Sequence, residues 1–272
     1  MSTISKTILM GSILSALVSA APSFAQDHGH NSDGEKLWSQ ADQYYDADEM
    51  DAARASVLHH NGDDHFYMFS LDRAEVQFKD GEEVGVWDGS YWYGGDVNKL
   101  FISTEGEYAF ESDEFEEAEV QVLWSRAVSP FFDIQSGIRY DFEPDGLAHA
   151  VLGFQGLAPY WFELNGATYL SEEGDLTADL EGEYGFFLTQ RLILQPRAEL
   201  QFSAQDIPDR DIGSGFTNLQ AGLRLRYEFE REFAPYVGVE YHSALGDTAN
   251  MIEAAGGSKD DTVWVIGVRA WF

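Results

Sequence analysis

From about residue 66 to the C-terminus, apolar side chains recur at every second position in segments of about ten residues. The last segment is the clearest, because one of its faces is apolar and ends on Phe272. Segments 192–202 and 219–229 likewise place apolar residues opposite Gln, Arg and Glu. Such alternation is typical of a transmembrane β-barrel. A soluble sandwich also alternates, but it would not need so many Arg and Glu side chains on one regular face.

The repeat predicts an all-β fold, an antiparallel transmembrane β-barrel with an even number of strands, about twelve. Pro196 and Pro235 lie inside two of the segments and cannot donate a hydrogen bond to a neighbouring strand. We therefore expect each proline at a strand end or a bulge. The predicted strands begin near Phe66, Val84, Leu100, Glu116, Phe131, Leu147, Tyr160, Leu176, Leu192, Thr217, Phe233 and Val263.

The connections between these strands alternate in length. Every second one is short, and the remaining ones include the two longest, 203–216 and 243–262. Outer-membrane barrels have short periplasmic turns and longer extracellular loops. The pattern therefore predicts a protein of the outer membrane with both termini in the periplasm. The short connections are 127–130, 156–159, 188–191 and 230–232.

The first 25 residues have the three parts of a secretory signal peptide. Lys6 supplies a positive charge, residues 8–18 form an apolar run, and Ser23 and Ala25 are small residues before a predicted cleavage site. The apolar run is too short for a membrane-spanning helix. The chain has no cysteine, so disulfides cannot stabilise the exported protein.

Residues 26–65 form an acidic, histidine-containing segment before the barrel, which we assign to residues 66–272. The acidic cluster 48–51 is predicted to cap a short helix through Ala53, Val57 and Leu58. The segment is too short and too weakly apolar to form a domain. We expect it to be periplasmic, partly helical and partly disordered.

The charge of the chain is strongly negative, with 48 acidic residues against 16 basic ones. This balance argues against a nucleic-acid partner, because phosphates would be repelled. It suits cations, including metal ions, as partners. Ordinary solubility is the alternative explanation of the charge.

The predicted inward faces of the strands are rich in ionisable groups. Crossed charges that pack a narrow lumen are one interpretation, and a cation-attracting interior is the other. The basic residues on these faces are Arg139, Arg197, Arg224, Arg226 and Arg269. The acidic ones are Glu105, Glu107, Glu119, Asp133, Glu163, Asp179, Glu181, Glu183, Glu199 and Glu240.

The predicted extracellular turns are acidic, whereas the periplasmic turns carry Lys or Arg. An acidic rim would concentrate divalent cations at the mouth of the barrel. It could equally bind the cations that bridge lipopolysaccharide, so outer-membrane lipid and lipopolysaccharide are predicted partners. The acidic turns are 79–83, 111–114, 143–145 and 172–175.

Histidines beside carboxylates indicate a metal site, because this donor set suits copper, nickel and zinc. Short histidine-rich tracts often bind metals without a dedicated site. In the lumen His149 and His242 are candidate ligands with Glu163 and Glu240, although a lone histidine is more often a satisfied polar residue. The candidates in the N-terminal segment are His28, His30, His59, His60, Asp63, Asp64 and His65.

The sequence lacks the usual enzymatic motifs, and we predict that the protein is not an enzyme. It contains neither a Gly-x-Ser-x-Gly elbow nor a His-Glu-x-x-His helix. His242 and Ser243 are adjacent, so they point to opposite faces of a strand. Asp206, Asp209 and Asp211 lack the spacing of a calcium loop.

Several longer strings resemble the copper resistance protein B family, and together they extend over nearly the whole predicted barrel. They are 92–96 (WYGGD), 126–133 (RAVSPFFD), 156–163 (GLAPYWFE), 188–197 (LTQRLILQPR), 231–239 (REFAPYVGV) and 267–272 (GVRAWF). The resemblance implies an outer-membrane protein of a periplasmic copper-tolerance system. Such a protein would bind, sequester or export copper beside a multicopper oxidase of the copper resistance protein A type.

This chain departs from the family in its N-terminal segment, which in relatives is often rich in both Met and His. Met50 is the only methionine between the signal peptide and the barrel. Thioether ligands favour Cu(I), whereas a set of His and carboxylate ligands favours Cu(II). The alternatives to copper tolerance are a general cation-selective solute channel with incidental metal binding, and a structural role at lipopolysaccharide.

Overall fold

The structure is a computed structural model that describes residues 41–61, 64–79 and 82–272. The predicted signal peptide, His28, His30 and Asp63 lie outside these residues. The chain divides into two compact units, Met1–His60 and Asn61–Phe272.

The described part of the first unit is dominated by helix α1, Ala47–Asn61. Its cap differs from the one expected from the acidic cluster 48–51. The Asp46 carboxylate accepts a hydrogen bond from the Asp48 N–H (3.0 Å), so Asp46 is the cap and Asp48 lies in the first turn. Neither α-helix in the described residues is long and apolar enough to cross a membrane.

The second unit is a closed antiparallel barrel of twelve strands, as the sequence predicts. The first and last strands pair with each other, and the predicted strand starts lie within three residues of the observed ones. The last long connection contains helix α2, Gly246–Ala254. The strands are β1 Phe66–Lys79, β2 Glu82–Gly94, β3 Asn98–Ala109, β4 Glu114–Ala127, β5 Phe132–Glu143, β6 Leu147–Ala158, β7 Phe162–Ser171, β8 Leu176–Glu183 with a short continuation Phe186–Phe187, β9 Leu192–Ser203, β10 Gly215–Tyr227, β11 Phe233–Ala244 and β12 Asp260–Trp271.

The strands have the inward and outward faces that the sequence predicts. In β12 the side chains of Trp264 and Ile266 are 68% and 56% exposed, whereas Val263 and Val265 are 2% and 1% exposed. The apolar outer face suits lipid contact, and the inner face is packed.

The two prolines differ in their setting. Pro235 lies near the start of β11, beyond the ladder with β10, which ends at Tyr236. Pro196 is in the middle of β9 and pairs with Leu223 without a register shift, so the expected strand end or bulge is wrong there. Instead the neighbouring strand β8 is interrupted at residues 184–185, beside the missing Pro196 N–H. The irregularity caused by the missing N–H therefore lies in the neighbouring strand β8 and not in β9 itself.

The barrel closes where β12 meets β1. Phe69 and Phe272 exchange two backbone hydrogen bonds, of 3.0 and 2.8 Å. A register shift between Leu71 and Ala74 interrupts the alternation in β1. Because of this bulge, the consecutive side chains of Asp72 and Arg73 both line the lumen.

The barrel has two different ends. The terminal end is where β1 begins and β12 ends, and its connections are short: 95–97, 128–131, 159–161, 188–191 and 228–232. The opposite end, the loop end, carries the two long connections, 204–214 and 245–259. Its other described connections are short, at 110–113, 144–146 and 172–175.

Candidate functional site

The lumen contains a cavity of about 690 Å³ that extends inward from the terminal end. Met68, Trp92 and Trp271 line it near that end. It reaches far along β7 to β9 but stops early along β10 and β11, where Arg224 and Tyr236 form its wall.

Carboxylates outnumber basic groups in the lining of this cavity, nine to five. Seven of the ten carboxylates that the sequence places inward are among them. The cavity interior therefore has a net negative charge that favours cations. The acidic residues are Asp72, Asp88, Glu105, Asp133, Glu163, Asp179, Glu181, Glu183 and Glu199, and the basic ones are Arg73, Lys99, Arg197, Arg224 and Arg269.

Arg224 is the centre of a buried ion-pair cluster at the inner wall. Its guanidinium donates to both carboxylate oxygens of Glu75, at 2.9 and 3.1 Å, and to Glu240 at 2.5 Å. The Tyr236 hydroxyl also donates to Glu75, at 2.8 Å. Sequence patterning placed Arg224 and Glu240 inward but missed Glu75, because the bulge in β1 breaks the alternation there.

Two further arginines extend this network around the wall. Arg197 pairs with Glu181 and Glu199, and its guanidinium lies 3.6 Å from Glu240. On the other side Arg73 pairs with Glu105 and lies 3.4 Å from Asp88. Both arginines are buried. Much of the lumen is therefore filled by ion pairs between strands. This agrees with the interpretation in which the inward ionisable groups pack a narrow lumen.

A row of four carboxylates crosses β2 to β5. The direct cross-strand partners are Asp88 with Glu105, Glu105 with Glu119, and Glu119 with Asp141. Like charges directly opposite each other destabilise a sheet unless a cation lies between them. Arg73 supplies that cation at one end of the row, and Arg139 does so at the other. Arg139 contacts Glu119 at 2.5 Å and Asp141 at 2.6 Å.

The four predicted lumen ligands occupy separate settings. His149 is buried and bonded through Nε2 to Asp141 (3.0 Å). His242 Nε2 lies 3.5 Å from Glu240, whose charge Arg224 and Arg197 already compensate. Glu163 is in the cavity lining, opposite Glu183. Among residues 41–61, 64–79 and 82–272, no three His, Asp or Glu side chains converge as a metal-binding set.

The described candidates of the N-terminal segment are exposed. The rings of His59 and His60 lie 5.0 Å apart, and His60 Nδ1 donates to the Ser56 carbonyl at 2.8 Å. His65 belongs to the barrel unit, where its ring stacks on Tyr93 at 5.5 Å. Asp64 is also exposed.

Residues 65–272 match the family model described as copper resistance protein B precursor. This chain belongs to the copper resistance protein B family. Copper resistance protein B of Escherichia coli is 42% identical over 207 residues, which are 76% of this chain and 69% of the relative. The homolog from Pseudomonas syringae pv. tomato (strain ATCC BAA-871 / DC3000) is 38% identical over 205 residues, 75% of this chain and 69% of the relative.

Among solved structures, the NanC porin superposes with a TM-score of 0.51 and 10% identity, over 74% of this chain and 98% of the porin. At that identity the likeness concerns the fold alone. The protein is an outer-membrane β-barrel of the copper resistance protein B family. The family match begins at His65, so His59 and His60 lie before the matched span.

Proposed function

We propose that this protein binds copper ions in the periplasm and supports copper tolerance by holding them or passing them outward. The observation that carries the proposal is the acidic cavity at the terminal end of a barrel of this family. In this proposal the terminal end faces the periplasm, so that periplasmic cations reach the carboxylates directly. The protein acts without catalysis, beside a multicopper oxidase of the copper resistance protein A type.

The first binding site in this proposal is the N-terminal segment. His28, His30, His59, His60 and His65, with Asp63 and Asp64, supply imidazole and carboxylate donors that suit Cu(II). The lumen candidates His149, Glu163, Glu240 and His242 are secondary. His149 and Glu240 already have charged or hydrogen-bonded partners, which a metal ion would have to displace.

Two measurements test the proposal. A strain that lacks the gene should grow less well than its parent across a range of copper concentrations. The purified protein should lose bound Cu(II) when the five histidines of the segment are replaced by Asn, because the imidazole donors are gone. A matched variant with His149→Gln and His242→Gln should keep its copper content.

Equal growth of the deletion strain and its parent would contradict the copper-tolerance role. Loss of copper from the lumen variant alone would instead move the site into the barrel. Envelope defects without copper sensitivity would favour a structural role, in which acidic turns bind the cations that bridge lipopolysaccharide.

A second candidate function is a cation-selective solute channel with incidental metal binding. The observation that favours it is the excess of carboxylates in the cavity lining. A channel also needs a continuous open path through the lumen. The ion-pair cluster around Arg224 argues against such a path. Conductance in planar bilayers separates the two functions.

A further inference from the structure

The connection between β9 and β10, residues 204–214, is a folded element at the loop end. Ile207 and Ile212 exchange backbone hydrogen bonds of 2.7 and 3.2 Å, so the segment forms a small closed loop around residues 208–210. The Ile207 side chain is buried. A surface loop without a packing role would leave it in water.

Several contacts hold this loop to other parts of the barrel, including two hydrogen bonds and one ion pair. The Gln205 amide donates to Asp175 at 2.8 Å, and the Gly213 N–H donates to the Thr248 hydroxyl at 2.9 Å. A Cβ added to Gly213 would lie 2.5 Å from the Thr248 nitrogen, so only glycine permits this approach. The connection thus docks on the turn after β7 and on α2.

The third contact crosses the mouth of the barrel. Arg210 Nη1 lies 3.7 Å from Asp141 on β5, and three strands separate β5 from β9. At about 4.8 Å per strand this is on the order of 20 Å of wall. Asp141 is buried and fixed by Arg139 and His149, so it is a rigid anchor for the loop.

The lumen-facing polar side chains at the loop end are buried although they lie near a mouth of the barrel. They include Ser203, Thr217 and Ser171. A barrel open at this end would leave such side chains in contact with water. Residues 204–214 reach across this mouth to Asp141, and α2 packs beside them, so these two connections cover that end.

We propose that residues 204–214 are a lid, latched by Arg210 on Asp141 and by Gly213 on Thr248, that closes the lumen at the loop end to ions and small solutes. The lid goes beyond copper binding and does not depend on which ion the protein carries. Releasing either latch exposes the polar side chains beneath the lid.

Thiol labelling tests this proposal, because the chain has no cysteine of its own. Thr217→Cys places a reporter beneath the lid, and Ser125→Cys places one in the cavity of the terminal end. Ser203→Cys is a second reporter beneath the lid. Each is labelled with a charged methanethiosulfonate reagent in purified, detergent-folded protein, in the otherwise wild-type chain and with Arg210→Gln or Gly213→Ala.

Labelling at positions 217 and 203 should accelerate about fivefold or more with either lid substitution, as loss of a partly buried ion pair or docking contact implies. Labelling at position 125 should not change. Lys259→Gln is the matched control, because it removes an exposed ion pair with Glu253 (3.0 Å) in the other long loop. That same carboxylate raises the pKa of Lys259.

Unchanged labelling at 217 and 203 with both lid substitutions would overturn the proposal, provided that the variants keep the heat-dependent gel mobility of the folded barrel. An equal acceleration with Lys259→Gln would also overturn it, since any loosened loop would then suffice. Neither readout involves copper, so failure of the lid and failure of the copper-binding role are distinguishable.

Discussion

Arg224 is a single guanidinium that holds two buried carboxylates, those of Glu75 and Glu240. The side chains of all three residues are at most 4% exposed, so water does not screen their charges. Burying an ion pair is costly in itself, but removing one partner from such a pair is costlier, because an uncompensated charge remains. The cluster therefore determines the stability of the wall between β10 and β1.

Arg224→Gln should lower the free energy of unfolding by about 3–5 kcal/mol, because it leaves buried Glu75 without its bonded cation and buried Glu240 with only Arg197, 3.6 Å away. Urea unfolding in lipid vesicles measures the change. Arg191→Gln, at an exposed turn position, is the control and should change stability by less than about 0.5 kcal/mol. The double variant with Glu75→Gln should recover part of the loss, and a double variant no more stable than Arg224→Gln alone would contradict the argument.

At the scale of the element, the strands show how local irregularities are compensated. The bulge in β1 turns two consecutive charged residues inward, and the break in β8 lies beside Pro196. In β8 the ladder resumes after two residues without a change of register, since Glu183 pairs with Arg197 and Phe186 with Leu194. The break is thus a missing hydrogen bond and not an insertion.

Pro196→Ala should restore an N–H that faces residue 184 and join the two parts of β8. We expect a gain of about 0.5–1.5 kcal/mol, the usual contribution of one hydrogen bond, and slower hydrogen exchange at residues 185–187. Pro235→Ala is the control, because Pro235 lies beyond the ladder between β10 and β11 and near a strand end. Faster exchange at residues 185–187 in Pro196→Ala would show that the ring has another role.

At the scale of the whole molecule, the two ends of the barrel differ. The cavity extends from the terminal end, whereas the loop end is covered by residues 204–214 and lies behind the Arg224 cluster. The lumen is therefore a one-sided vestibule in this conformation. That geometry suits the capture of cations from one compartment better than free diffusion between two.

The wild-type protein should give no steady conductance in planar bilayers bathed in potassium chloride, because packed ion pairs fill the lumen beyond the vestibule. The control for incorporation into the bilayer is a sample that has been unfolded and refolded and that shows the same gel mobility. Steady cation-selective conductance, with selectivity that weakens at high salt, would instead support the channel function.

The sequence by itself determined the fold class, the strand number, most of the residues that face inward and the family to which the chain belongs. Each of these depends on local periodicity or on contiguous strings, which one chain displays directly. Only the tertiary structure decided the partners across the lumen. Glu75 and Arg224 are 149 positions apart in the sequence, and Arg210 meets Asp141 only because a loop folds over the mouth. Such pairs depend on barrel closure, register and bulges, which a period of two does not encode.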